Sequence, residues 1–433
     1  MAAEVVEKFF DAHPDIKFIR LQWVDYSGVL RTRITTKPRC FRIASGTDCC
    51  QLAQNCMVLP ISTEPRCFPD GIEDWNLRPD WGTLMVCGFA PAHASVMCYT
   101  SHLGLTNPLA RCPRNFLYEV LAAFEAQYQS TLLMGFEIEF VLLDESSNLA
   151  QSFDRLVGSS MTAGLRTENL VIMEEIVASL ELSGIEIYHF HTETINQFEV
   201  ALSPLAPIQA IDALMMTQET IRTICIRHGL QATMTPRPVF NGPRNGCHVH
   251  LSINPAPNAP CFLAGVLNKL KALCAFGLAN YDSYHRVAGD CAGEWIAWGT
   301  HNKDFPIRQF GPNRWELRFL DITANMYLFT AVMLSAGMDG MKQNIILSVR
   351  DCQVVPSALT FEEAERQLRA FGITERMPKE LEVSLDYAKD DKEIQNWVGA
   401  ELFSQYVKVK EKEVEYFSKM TDEERRQKFL GYF

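Results

Sequence analysis

Arg314-Trp315-Glu316-Leu317-Arg318-Phe319 decides how the chain is read. Taken as a strand, it places Arg314, Glu316 and Arg318 on one face and Trp315, Leu317 and Phe319 on the other. An ordinary half-buried strand accepts any polar residues on its outer face. A face made of opposite charges alone is less common. Three more segments share the pattern. Glu137 and Glu139 alternate with Phe136, Ile138 and Phe140; Gln197 and Glu199 with Phe198 and Val200; His248, His250 and Ser252 with Val249, Leu251 and Ile253. The apolar faces predict one core, and the four polar faces are expected to meet around one metal-and-phosphate site.

Glu137, Glu139, Glu193 and Glu199 are hard oxygen donors, and His248 adds a nitrogen. That mixture suits Mg²⁺ or Mn²⁺ better than a thiolate zinc site. Any one of these residues alone reads as a surface carboxylate. Several on neighbouring strands repel one another unless cations lie between them. Arg286, Arg308, Arg314 and Arg318 are the counterweight, because a guanidinium fork binds two oxygens of a phosphate or carboxylate at once. The plainer reading of Arg314 and Arg318 is a pairing with Glu316. Metal ions together with arginines are what phosphoryl transfer requires. Neither a G-x-x-x-x-G-K-[ST] loop nor a strand followed by G-x-G-x-x-G is present, so a nucleotide would be held by metals and strand residues.

With 433 residues, 47% of them hydrophobic and 21% charged, the chain reads as a globular protein of more than one domain. A net charge of -12 argues against a nucleic-acid partner. The first residues are acidic and unlike a signal peptide, and no apolar run reads as a membrane span. The 14 cysteines include no C-x-x-C pair, which predicts buried, reduced thiols in a cytoplasmic protein. Helices are expected at 5–12, 114–129, 168–183, 207–228, 263–280 and 327–347. Strands are expected at 16–23, 29–34, 83–89, 132–143, 185–191, 197–202, 232–238, 247–253 and 314–321. Residues 40–79 read as loops and short elements, and the charges beyond Phe361 as solvated helix faces. The fold class is α+β, with a curved antiparallel sheet or open barrel and helices outside it.

These residues resemble the glutamine synthetase family in its bacterial-like type I form. Glu137-Ile138-Glu139-Phe140 is similar to its E-x-E-[FY] strand, and Gln197-Phe198-Glu199 to its G-Q-x-E segment without the glycine. Gly246 to Ser252 is similar to G-x-H-x-H-x-S. Arg314 to Phe319, followed by Asp321 and Asn325-Met326-Tyr327-Leu328, is similar to R-x-E-x-R-F…D…N-P-Y-L. The resemblance implies an N-terminal β-grasp domain over 1–105 and a catalytic domain over 106–433. It implies two divalent ions, one on Glu139, Glu193 and Glu199 and one on Glu137, His248 and Glu316. ATP as co-substrate is implied near His250, Ser252, Arg308, Arg314 and Lys303, and a substrate carboxylate near Arg286 and Arg318. A carboxylate would take the γ-phosphoryl group of ATP, and an amine or ammonia would then displace phosphate to leave an amide. Arg308 and Arg318 would stabilise the developing charge. A homo-oligomer of stacked rings is implied as well.

Departures from the pattern gather on the side of the small substrates. Arg244 stands where the family has a glycine, beside the implied acid pocket. Lys303 replaces an arginine. Glu294 is the nearest candidate for a catalytic glutamate, and Asp48 for the acid that takes a proton from ammonium. The short loop Thr194-Ile195-Asn196 makes His191 a rival to Glu193 as a ligand. Three readings remain. One is an amide-forming ligase with an altered acid or amine, such as a γ-glutamyl-amine or specialised-metabolite ligase. The second is glutamate–ammonia ligase, and the third a noncatalytic structural or regulatory homologue.

Overall fold

The computed structural model describes residues 2–53, 55–59, 61, 74–150, 158–166, 168–287 and 292–433. They form a mixed α+β fold on two sheets. The first sheet takes β1 (Phe18–Val24), β2 (Leu30–Thr36), β3 (Cys50–Ala53), β4 (Asp74–Pro79), β5 (Met85–Val86) and β6 (His93–His102). Its order is β2-β1-β6-β4-β3, with parallel β1 and β6 at the centre as in a β-grasp. The β1–β2 hairpin turns where Asp25 to Gly28 predict it. Asp25 Oδ1 accepts from the Ser27 and Val29 N–H groups, and Gly28 takes the left-handed φ of 84°.

The second sheet takes β7 (Thr131–Leu143), β8 (Ile187–Thr192), β9 (Gln197–Leu202), β10 (Gln231–Thr233), β11 (Cys247–Asn254), β12 (Trp298–Thr300), β13 (Ile307–Gly311) and β14 (Arg314–Leu317). Its order is β12-β13-β14-β11-β7-β9-β8, with β10 beside β7, and it curls into an open half-barrel. Along β7 the two glutamates are half-buried while Phe136, Ile138 and Phe140 between them are buried, so the alternation of the sequence is the alternation of the pleat. The apolar faces of both sheets join one continuous core with the surrounding helices.

Several expected elements change. The strand expected over 83–89 shrinks to β5 after a 3₁₀ turn at Trp81–Thr83. Residues 40–79 contain β3, β4 and part of the helix Lys37–Ala44, all too short for a clear period. β6 went unread because it is central and buried on nearly every residue, which erases alternation. β14 stops at Leu317 rather than reaching residue 321. The helix Ala259–Gly277 corrects the statement that no apolar run could cross a membrane: length and composition suffice, and 67% of its apolar window is buried within the protein. It packs against the helix Met326–Gln343. The C-terminal charges are not all solvated either. In the helix Ala400–Phe417, Lys410 and Glu413 are 0% and 1% exposed, paired with each other, and Glu413 accepts from Ser27 and the Ile61 N–H.

Gly28 separates two physical costs. A Cβ there would meet the Thr323 carbonyl oxygen at 2.3 Å, whereas Gly46, also left-handed, has open space around it. Gly46→Ala should cost about 1–2 kcal/mol through backbone conformation alone. Gly28→Ala should cost more, seen as a lower melting temperature than that of Gly46→Ala. Equal melts would show that the contact with Thr323 contributes nothing.

Candidate active site

Strand register assembles the site. On β9, Glu199 stands opposite Glu139 of β7 and His191 of β8. Glu137 of β7 stands opposite Ala201 of β9 and His248 of β11. His250 of β11 faces Glu316 of β14, which faces Arg308 of β13. Facing residues lie on the same side of a sheet, so six strands present these groups on one surface.

There the side chains converge. His248 Nδ1 lies 3.2 Å from Glu137 Oε2 and 3.5 Å from Glu316 Oε1. His250 Nε2 lies 2.9 Å from Glu137 Oε1. Glu137, Glu199 and His248 bring possible ligand atoms within 4.8 Å of one another, as do Glu137, His250 and Glu316, and as do His189, His191 and Glu199. Glu139 is partly spent: its Oε2 accepts from the Gly246 N–H at 2.7 Å. Glu193 joins through His191, whose Nε2 is 2.6 Å from Glu193 Oε1 and 3.8 Å from Glu199 Oε1.

Electrostatics single out Glu199. Burial, and then the charges of Glu137, Glu139, Glu193 and Glu316, push its carboxyl up to about 9. Burial would raise Glu137 too, but hydrogen bonds from His248 and His250 outweigh it and hold Glu137 far below the usual carboxylate range. Glu316 is lowered likewise, the charges of His248 and Arg318 prevailing over burial. A carboxyl forced to keep a proton beside four others is where a divalent cation fits, and oxygen with imidazole donors suits Mg²⁺ or Mn²⁺.

Arginines border the acids. Arg308 Nη1 donates to Glu316 Oε2 at 2.8 Å, and Arg318 pairs with the other oxygen of Glu316. Arg314 faces Ser252 in register and lies 4.7 Å from the Phe310 ring centre, while Phe310 meets the His250 ring at 5.0 Å. His250, Ser252, Phe310 and Arg314 border a cavity of about 330 Å³ that opens onto Glu137 and His189. The expected nucleotide residues on β11 and β14 therefore share one cavity.

Other expected residues are engaged by backbone carbonyls or by ion pairs. Arg286 is buried, donating to the carbonyls of Phe319 at 2.9 Å and Arg318 at 3.1 Å, with Nη2 3.3 Å from His248 Nε2. Arg244 donates to the Arg286 carbonyl at 3.1 Å. Lys303 gives its carbonyl to Arg318 Nε at 3.1 Å. Glu294 makes an ion pair with Arg376 and lines a different cavity, with Asp304 and Phe361. Asp48 is held by Arg39 at 3.2 Å and Arg42 at 3.6 Å. Residues 288–291, between Arg286 and Glu294, lie outside the described residues. Two contributors were missed. Phe310 gives no local signal. His189 does, since Tyr188-His189-Phe190-His191 repeats the alternation of the other strands.

The family described as glutamine synthetase, catalytic domain, matches residues 110–429. The chain belongs to the glutamine synthetase family. Protein fluG of Emericella nidulans is 34% identical over 450 residues, covering 99% of this chain and 50% of fluG. The chain thus spans about half the length of that relative. A glutamine synthetase of Methanococcus maripaludis is 28% identical over 444 residues, covering 95% of this chain and 96% of its own. The gamma-glutamylpolyamine synthetase GlnA3 of Streptomyces coelicolor is 28% identical over 308 residues, 65% of each chain. In fold, the solved structure of GmaS without ligand agrees with a TM-score of 0.82 at 23% identity, covering 96% of this chain and 97% of that one. The glutamine synthetase family is one of ligases that work on small molecules and normally use ATP and divalent metals.

Glu199 also ties stability to pH. Its carboxyl is raised from 4.5 to about 9 on folding, so between those values the folded protein holds the extra proton. That contribution to stability is lost as pH rises through the window. In chelator, the melting temperature should fall from pH 6 to pH 9, and saturating Mn²⁺ should flatten the fall. A melt in chelator that does not change with pH would contradict the crowding of acids around Glu199.

Proposed function

We propose that the protein is an ATP-dependent ligase that joins a carboxylate to an amine through an acyl phosphate, with an acid or amine other than glutamate and ammonia. One observation carries this reading: Glu137, Glu199, His248 and Glu316 face one another on a single surface, beside a cavity bordered by His250, Ser252 and Arg314. The fit is to two divalent ions held by Glu137, Glu139, Glu193, Glu199, His248 and Glu316, with His191 beside Glu193. Such ions neutralise phosphate oxygens and align the reacting groups.

The roles follow from position. Arg314, Ser252 and His250 would hold the nucleotide in the cavity, with Phe310 as an aromatic wall. Arg308 and Arg318 flank Glu316, where their charge can oppose that of a transferring phosphoryl group. The substrate carboxylate oxygen would bond to the γ-phosphorus as ADP leaves. The amine nitrogen would then bond to the acyl carbon, losing a proton as phosphate departs. Arg244 and Arg286 bring positive charge to the acid side, and Arg244 is the feature that favours a substrate other than glutamate. Lys303, near Glu193, would serve the phosphate side. Glu294 is kept as a candidate for the amine side, and Asp48 for deprotonating it. GlnA3, named as a gamma-glutamylpolyamine synthetase, supports an enlarged amine. Homo-oligomeric assembly in the cytoplasm completes the proposal.

Incubation with ATP, Mg²⁺ or Mn²⁺ and panels of acids and amines should release phosphate only with a matching pair. Phosphate release with glutamate and ammonia alone would point instead to glutamine formation, which the relative from Methanococcus maripaludis supports. No release with any pair would overturn the ligase reading. With the matching pair, Arg318→Ala should lower kcat by about 10²–10³, whereas Arg314→Ala should mainly raise the KM for ATP.

A further inference from the structure

We propose that a cavity behind the β13–β14 hairpin binds an uncharged aromatic molecule bearing a hydrogen-bond acceptor, and that its occupancy strengthens nucleotide binding on the opposite face of the same hairpin. The site stands apart from the ligase reading. Only its effect on the nucleotide rests on that reading.

The cavity measures about 500 Å³ and is bordered by Leu263, Trp298, His301, Gln309, Trp315 and Leu347, among others. Sites for small molecules commonly span about 300–1,000 Å³. Two indoles face it, from Trp298 and Trp315, and no Asp, Glu, Lys or Arg is among its lining residues. An ion brought here would lose its hydration without meeting a counter-charge, so the molecule that fits is uncharged. Most donors of the wall are already used. Trp298 Nε1 donates to the Val349 carbonyl at 2.9 Å, Thr300 Oγ1 to Asp351 at 2.7 Å and Gln309 Nε2 to the Gly311 carbonyl at 3.2 Å. Trp315 differs. It is 4% exposed, and its Nε1 has no partner among the described residues. The Phe262 ring stacks on it at 5.8 Å and fixes the indole. An indole N–H can only donate, so the complementary group is an acceptor such as a carbonyl oxygen.

Alternation along the hairpin sets this cavity back to back with the one on the charged face. Phe310 and Arg314 border the front cavity, whereas Gln309, Gly311, Asn313 and Trp315 border the rear one. Gln309 stands opposite Trp315, and the register slips between Gln309 and Gly311. Such an irregularity interrupts the ladder of hydrogen bonds, so the strands are held less firmly where both cavities meet them. A ring seated against Trp315 braces that part of the hairpin, and with it Phe310 and Arg314 on the other side. A molecule that orders a shared wall lowers the ordering cost left for the second one to bind.

The test titrates the full-length protein with Prodan, an uncharged dimethylaminonaphthalene with one ketone, and follows its fluorescence. Wild type should bind one Prodan per chain, with its emission shifted to the blue. Leu347→Arg places a charge on a half-buried residue of the wall and should weaken binding about tenfold or more. Trp315→Phe keeps a ring but removes the N–H. It should weaken Prodan about fivefold and leave 2-dimethylaminonaphthalene, which has no ketone, unchanged. Calorimetry with ATP and Mg²⁺ should show about fivefold tighter binding at saturating Prodan, and ATP should tighten Prodan by the same factor. Should Trp315→Phe fail to fold, Leu347→Arg carries the test of the site. No saturable Prodan binding, or binding unchanged in Leu347→Arg, would overturn the site. Equal weakening of both naphthalenes by Trp315→Phe would overturn the role of the acceptor. Equal affinity for ATP with and without Prodan would overturn the coupling alone. A wild type that binds Prodan but no ATP would overturn the nucleotide reading and the coupling together, with the site upheld.

Discussion

Crowding of like charge on one face of a sheet is the constraint on which the molecule depends. At an effective dielectric of about 20, two carboxylates 4 Å apart repel by about 4 kcal/mol. Glu137, Glu199 and Glu316 therefore need counter-charge to be ionised together. Neighbouring strands supply part of it, through His248 and His250 to Glu137 and through Arg308 and Arg318 to Glu316. Glu199 receives least, and burial with the neighbouring carboxylates pushes its carboxyl up to about 9. The pleat that gathers the acids also gathers the groups that neutralise them, since both stand in register.

The segment after β14 keeps that register in place. Arg286 takes the carbonyls of Arg318 and Phe319, and the Cys247 N–H takes that of Leu320, so β11 and β14 are tied at their common end. A Cβ at Gly246 would lie 2.3 Å from Arg286 Nη2, which is why the strand enters through a glycine. Further on, Asn325 caps the helix Met326–Gln343 by accepting from the Leu328 N–H. The same side chain donates to the Asp25 carbonyl at 2.9 Å. One asparagine thus joins the segment after β14, a core helix and the first sheet. A second buried junction joins helices: Arg114 pairs with Asp212 and donates to the Tyr327 hydroxyl at 3.1 Å.

Parity makes most of the acidic face readable in the sequence itself. Its strands β7, β9, β11 and β14 alternate a polar residue with an apolar one, and burial on one side turns that alternation into position. The same rule would have found His189. It could not find β6, where both faces are buried, nor β12 and β13, which carry three and five residues. Lys410 and Glu413 were hidden for another reason. A buried ion pair three residues apart on a helix has the same spelling as a solvated one, and only the contact with Ser27 and Ile61 tells them apart. Arg286 was legible as an arginine near the site but not as a clamp on two carbonyls, because backbone partners leave no mark in a sequence.

In the proposed ligase, metal and phosphate chemistry falls to strand residues, and the small substrates fall to the connections between strands. A strand residue cannot move to a neighbouring position without turning its side chain away from the site. The connection 241–244 obeys no such rule, and residues there can change while the sheet stays as it is. Arg244 is a case in point. Its guanidinium donates to the Arg286 carbonyl, while Glu137 and His248 face one another across β7 and β11. On the proposed reading, a substitution such as Arg244 alters the acid side through a connection, while the charged face of the sheet keeps its register.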